Sequence, residues 1–162
     1  MELQLQPMSD QDYTDWLADI IPEYAQEKVA NGTWIEAESL QKSRESINSL
    51  LPQGMTTENH YLFSLRLSES DERVGFLWFG RYEQAAYLYD ISIVKAHRRK
   101  GYGRQAMQLL EIAAAQHGFD QISLHVFGEN RIARELYLSV GYVITDLTMR
   151  KKLPAPKQTA GS

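Results

Sequence analysis

Cysteine is absent from the 162 residues. Its absence excludes disulfides, thiolate zinc sites, iron–sulfur clusters and a cysteine nucleophile. Histidine is scarce: His60, His97, His117 and His125 are scattered, with no pair at the i, i+4 spacing of helical metal ligands, so no metal is expected. No apolar run approaches the roughly 20 residues needed to span a bilayer. The N-terminal stretch lacks a basic start followed by an apolar run, so no secretory signal is read and the cytoplasm is the expected location. Positive charge is not in surplus either. Seventeen Lys and Arg against 21 Asp and Glu leave a formal charge of −4, which argues against a broad nucleic-acid-binding face. Low-complexity segments and internal repeats are also missing. What remains is 43% hydrophobic and 23% charged, enough apolar residues for a core and too few charges for disorder, at a length that suits one domain.

Periodicity supplies the element order. Tyr13, Trp16, Leu17, Ile20 and Ile21 recur at helical spacing behind Ser9, a predicted N-cap with Asp12 three residues on. Pro22 either kinks this helix or starts another. Residues 36–51 read as a second helix burying Leu40, Ile47, Leu50 and Leu51, closed by Pro52-Gln53-Gly54. Strands are then expected at 61–67, 74–79 and 85–94, joined by short polar turns as an antiparallel meander. A helix over 103–117 buries Ala106, Met107, Leu109, Leu110, Ile112, Ala113 and Ala114. A strand over 121–127 follows, then a helix over 130–140 with Ile132, Ala133, Leu136, Tyr137 and Val140 inward. Residues 142–153 suggest a last strand, and 154–162 a flexible polar tail. The class is α+β, or mixed α/β, on one sheet.

Chemistry concentrates in Val94-Lys95-Ala96-His97-Arg98-Arg99-Lys100-Gly101-Tyr102-Gly103-Arg104, where a buried strand enters a basic, glycine-containing loop and a helix begins. Helix N-termini present unpaired N–H groups and a partial positive charge. Glycine lets an anion approach the backbone. Phosphate or pyrophosphate is therefore the expected ligand. A solvated basic turn is the plain alternative. A dinucleotide site is another, since Gly101-Tyr102-Gly103-Arg104-Gln105-Ala106 fits G-x-G-x-x-A and Glu129 would reach a ribose. Against it, four residues separate the strand from the first glycine.

Arg98-Arg99-Lys100-Gly101-Tyr102-Gly103 resembles the R/Q-x-x-G-x-G/A acyl-CoA pyrophosphate loop of the GNAT N-acetyltransferase superfamily, preceded as in that family by a segment like Ile91-Ser92-Ile93-Val94. Downstream, Asn130-Arg131-Ile132-Ala133-Arg134-Glu135-Leu136-Tyr137 resembles its N-x-x-A-x-x-L-Y segment, followed by Gly141-Tyr142. The resemblance spans residues 61–153 and implies a mostly antiparallel twisted sheet, flanked by helices and splayed between its fourth and fifth strands. It implies one domain over 1–153, with a helical substrate-side part at 1–54 and a sheet and cofactor part at 55–153.

By the same resemblance the N–H groups of Arg99, Lys100, Gly101, Tyr102, Gly103 and Arg104, with Arg98 beside them, hold the pyrophosphate of acetyl-CoA. Ile91 and Ile93 pair through their main chain with the pantetheine arm, and Asn130 contacts the cofactor or simply caps its helix. Tyr137 is the implied general acid, or else a core residue. His125 and Asp90 are the candidate general bases, His125 also being readable as a satisfied inward histidine. The activity implied is metal-free acetyl transfer to a primary amine on a small molecule or peptide. A non-catalytic acyl-CoA-binding module stays open, as does a homodimer. Ten acids against three bases in the first fifty residues suggest an acidic rim, or merely solvated helix faces.

Overall fold

In the computed structural model, residues 1–157 are described. The elements run β1 (Leu3–Pro7), α1 (Asp10–Ala30), α2 (Glu36–Leu50), β2 (His60–Leu67), β3 (Arg73–Tyr82), β4 (Ala85–Ile93), α3 (Tyr102–Gln116), β5 (Ile122–Leu124) and α4 (Arg131–Ser139). Short 3-10 turns sit at Gly54–Thr56 and Lys95–His97. The strands lie in the order β1-β2-β3-β4-β5, antiparallel throughout except for the parallel β4–β5 pair. This is the α+β class expected. Antiparallel neighbours also exclude a doubly wound dinucleotide fold, whose strands run parallel.

β1 was not foreseen. Its Leu3-Gln4-Leu5-Gln6 alternation is too short to stand out alone, but pairing Leu3 with Leu67 through Pro7 with Phe63 extends the meander by one edge strand. The part before Gly54 is therefore not wholly helical. α1 runs unbroken through Pro22. Its capping box is formed as expected: Asp12 N–H donates to Ser9 Oγ at 3.0 Å, and Ser9 N–H to Asp12 Oδ2 at 3.0 Å. α2 corrects the reading of its inner face. It buries Ser39, Ser43 and Ile47, leaving Leu40 and Leu50 exposed, because the Ser43 hydroxyl donates to the Ile21 carbonyl at 2.7 Å and draws that face onto α1.

Each face of the sheet carries its own core. One, with α3, gathers Leu65, Val74, Leu77, Phe79, Ala106, Met107 and Leu110; the other, with α1 and α2, gathers Trp16, Ile20, Ile47, Phe76 and Trp78. The α1 N-terminus is fastened to the sheet by ion pairs: Asp12 Oδ1 accepts from Arg73 at 2.7 Å and Arg66 at 3.0 Å, and Arg73 also reaches Asp15 at 2.8 Å. Burial works to raise the Asp12 carboxyl, but the Ser9 N–H, Arg73, the Ser9 hydroxyl and Arg66 outweigh it and hold the group below its ordinary value.

The C-terminal half departs from expectation. The strand expected over 121–127 is only Ile122–Leu124, and that expected over 142–153 is not formed; residues 143–153 carry no regular structure. Ile112 and Ile132, expected inward, are exposed: α3 buries Ala106, Met107, Leu110, Ala113 and Ala114 instead, and α4 turns Leu136 and Tyr137 to the core. Residues 154–157 are exposed without regular structure, and 158–162 lie outside the described residues.

Candidate active site

β4 creates the site by changing its pairing halfway along. Trp78 faces Asp90 and Phe79 faces Leu88, so Tyr89 is an extra residue, a β-bulge. Parallel pairing with β5 covers only Ala86, Tyr87 and Leu88. The bulge bends β4 just where β5 stops, and the two strands part. Beyond it, Val94 N–H bonds to the Val74 carbonyl at 2.8 Å, which sets the alternation: Ser92 faces β3 with its main chain, and Ile91 and Ile93 face the gap. The Ile93 carbonyl takes a 2.9 Å bond from Arg98 Nε. The main chain of Ile91 and the N–H of Ile93 are thus turned toward an opening that an extended ligand fits.

The loop that follows reverses direction through two left-handed residues, Arg99 (φ +64°) and Gly101 (φ +81°). Such a pair turns successive N–H groups to one side, forming at the start of α3 a nest of the kind that suits an anion. Among the described residues, none of the six N–H groups from Arg99 to Arg104 finds a protein acceptor. A Cβ at Gly101 would meet nothing within 4 Å, so this glycine leaves the nest open. Gly103 has a different reason for being small: its Cβ would come within 3.2 Å of Leu136 Cδ2, so it lets α4 pack closely on α3. Arg104 is drawn aside to Ser139 Oγ at 2.9 Å, while the side chains of Arg99 and Lys100 are exposed.

Asp90 sits on the α1 side of the bulge, where Trp16 Nε1 donates to its Oδ2 at 2.9 Å. Tyr89, on the same face, stacks on Trp78 with centroids 4.5 Å apart. Burial pushes the Asp90 carboxyl up to about 7; the Trp16 N–H opposes the rise, and Glu23, Glu27 and Asp19 reinforce it. Those three acids, spaced i, i+4, i+8, form one stripe of α1. Glu23 and Glu27 are exposed in area, yet desolvation first and their acidic neighbours second raise both carboxyls. The stripe is solvent-exposed yet lies close enough to Asp90 for its negative charge to be felt there. Sequence reading counted these acids but missed their alignment with Asp90, which the helical spacing alone would have revealed for the stripe and nothing would have revealed for Trp16.

Tyr137 approaches from the opposite face, on α4, packed against the α3-side core. Its hydroxyl is held protonated, first by burial and then by the negative charge of Asp90 and Glu27. The gap between β4 and β5 is what lets groups from opposite sheet faces sense one another. Asn130 caps α4, its Oδ1 accepting from Ala133 N–H at 3.3 Å. His125 is not an inward histidine: it lies past the end of β5, exposed, with its ring edge-on to Phe127 at 4.9 Å. Among the described residues no cluster of His, Asp or Glu is arranged to hold a metal, and no helix is long and apolar enough to cross a membrane.

A split β4–β5 pair beside an open N–H nest is the geometry the sequence motifs pointed to, and comparison with known proteins decides the family. The sequence model of the acetyltransferase (GNAT) family matches residues 17–142. The chain belongs to the GNAT family. YycN of Bacillus subtilis (strain 168), an uncharacterized N-acetyltransferase, is 39% identical over 157 residues, covering 94% of this chain and all of YycN. A second uncharacterized N-acetyltransferase of that organism, YdgE, is 30% identical over 157 residues, covering 94% of this chain and 99% of YdgE. The crystal structure of YycN superposes with a TM-score of 0.88 at 38% identity, covering 94% of this chain and 99% of that one. This GNAT chain is thus an acyltransferase of the N-acetyltransferase type.

Proposed function

We propose that the protein is a cytoplasmic enzyme that transfers the acetyl group of acetyl-CoA directly to a primary amine, with Asp90 as general base and Tyr137 as general acid. The observation that carries this reading is the run of six acceptor-less N–H groups, Arg99 to Arg104, placed immediately after a strand edge whose main chain is turned into an open gap. Pyrophosphate on that nest, with Arg99 and Lys100 adding charge, sends the pantetheine arm along Ile91 and Ile93 toward Asp90 and Tyr137. Acetyl-CoA supplies an activated thioester. Asn130 borders the same end of the gap while capping α4.

An alkylammonium must lose a proton before it attacks, and a base titrating near neutrality suits that step. Asp90, at about 7, has that property. It accepts a proton from the ammonium, freeing the nitrogen lone pair to attack the carbonyl, and the second proton that nitrogen sheds as the adduct collapses replaces the one Tyr137 gives up. As the carbon–sulfur bond breaks, the Tyr137 hydroxyl gives its proton to the departing thiolate. The acidic stripe of α1 supports a small-molecule or peptide amine entering as a cation from the side of residues 1–54.

The test is steady-state kinetics of CoA release with acetyl-CoA and a panel of amines. For wild type, kcat/KM should rise as pH passes 7, because the base works only when deprotonated. Asp90→Asn should lower it about 10²–10⁴-fold and remove that inflection. If His125→Ala flattens the profile and Asp90→Asn does not, the base is His125.

A further inference from the structure

Two indole N–H groups are buried on the α1 side of the sheet, and each has found one acceptor. Trp78 Nε1 donates to His60 Nδ1 at 3.0 Å, and Trp16 Nε1 to Asp90 Oδ2 at 2.9 Å. An indole N–H can only donate, and a buried one is costly to leave unpaired. The two acceptors are not alike. His60 is a neutral partner of the kind a buried indole needs, and Gly80 makes room for it: a Cβ there would come within 2.8 Å of His60 Nδ1. Asp90 is a carboxyl in the cleft, and burial opposes its charge. A carbonyl or hydroxyl would satisfy Trp16 equally well without placing a charge where water is scarce.

The bond makes the two oxygens of Asp90 unlike. Oδ2 is engaged by Trp16. Oδ1 accepts no hydrogen bond among the described residues and is not one of the buried polar atoms left without a partner, so it is accessible. The indole that makes this distinction is held from several sides. Trp16 is fully buried, lies edge-on to Trp78 at 5.3 Å and 84°, and tilts against Tyr13 at 5.7 Å. Trp78 in turn stacks on Tyr89, the bulged residue that precedes Asp90, with 17° between the ring planes. One aromatic stack thus fixes both ends of the bond, the indole that donates and the bend of β4 that presents the acceptor.

We propose that Trp16 is a positioning residue of the acyl transfer, holding Asp90 by Oδ2 so that Oδ1 is the atom that takes the proton of the acceptor amine. The inference rests on the reading of Asp90 as general base and adds a side chain that touches neither substrate nor cofactor. An N–H aimed at Oδ2 disfavours a proton on that oxygen and leaves Oδ1 to receive it. The same N–H stabilises the ionised carboxylate. Opposing it are Asp19, Glu23 and Glu27 of α1; Arg98, from the loop before α3, offsets Glu23, and Tyr137 of α4 stays neutral. His60 of β2 reaches this carboxylate only through the rings of Trp78 and Trp16. Loss of the indole N–H should therefore raise the pH at which Asp90 ionises, whereas loss of packing alone should not.

Trp16→Phe keeps a ring in place and deletes the N–H. Its kcat/KM profile should move upward by about one pH unit, falling about tenfold below the inflection and returning to within about threefold of wild type above it, with KM for acetyl-CoA unchanged. In an Asp90→Asn background the same substitution should cause no further pH-dependent loss. A fall equal at every pH, with the inflection unmoved, would overturn the proposal and leave Trp16 a packing residue. An inflection that survives Asp90→Asn is a different failure: it removes Asp90 as base, and the role of Trp16 goes with it. Wild type gives a second readout that depends on no variant. Among the indole ¹H–¹⁵N signals of its three tryptophans, that of Trp16, identified by its through-space contact with Tyr13, should titrate with the midpoint of the kinetic inflection. A Trp16 signal that stays still across that inflection overturns the proposal as well.

Discussion

The two ends of the sheet are built to different standards. On the β1–β4 side, Leu65, Val74, Leu77 and Phe79 are sealed against α3, and Asp12 ties α1 to β2 and β3 through Arg66 and Arg73. On the β5 side, the strand is three residues long, α4 has no buried residue, and the segment after it lies in water. The candidate cleft runs along the seam, with Asp90 rooted in the well-packed half and Tyr137 carried by the looser one. In the proposed mechanism, the well-packed half fixes the base, whose ionisation depends on its surroundings, whereas the acid needs only to stay protonated, which a phenol does without help.

Mutations can break or sharpen this contrast. Phe79→Ala, in the sealed half, should destabilise the fold by about 3–5 kcal/mol, measured by urea unfolding. Asp12→Asn should cost about 1.5–3 kcal/mol at pH 7 by removing charge-assisted hydrogen bonds. Because the folded-state carboxyl of Asp12 lies below its ordinary value, its contribution is complete above the usual carboxylate range and disappears as pH falls through the lowered value. The variant should therefore lose less stability than wild type on acidification, and parallel acid limbs would refute the assignment. In the looser half, Asn130→Ala should cost about 1 kcal/mol through the lost cap, read as fraying of α4 in hydrogen exchange. Ile132→Ala, at a side chain 85% exposed, should change unfolding by less than about 0.5 kcal/mol. A large effect there would mean that the β5 side is covered by something other than its own chain.

What was legible in the sequence was local. The capping box at Ser9, the helix after Gly101, the glycine–basic loop and the Asn130-to-Tyr137 segment are set by neighbours within a few residues, and they identified both fold class and family. Two misreadings had local causes as well: β1 is a short strand with a weak signal, and residues 142–153 have a strand pattern without an available partner. The bulge at Tyr89, the bond from Trp16 to Asp90 across 74 residues, and the acid stripe of α1 overlooking that carboxyl were not legible.

The sequence by itself determined the open run of N–H groups where a strand meets a helix, because free N–H groups and glycine conformations are properties of a short stretch of chain. Tertiary structure alone decided that Asp90 titrates near neutrality. An ordinary carboxylate acquires that value only when distant segments remove it from water and surround it with like charge.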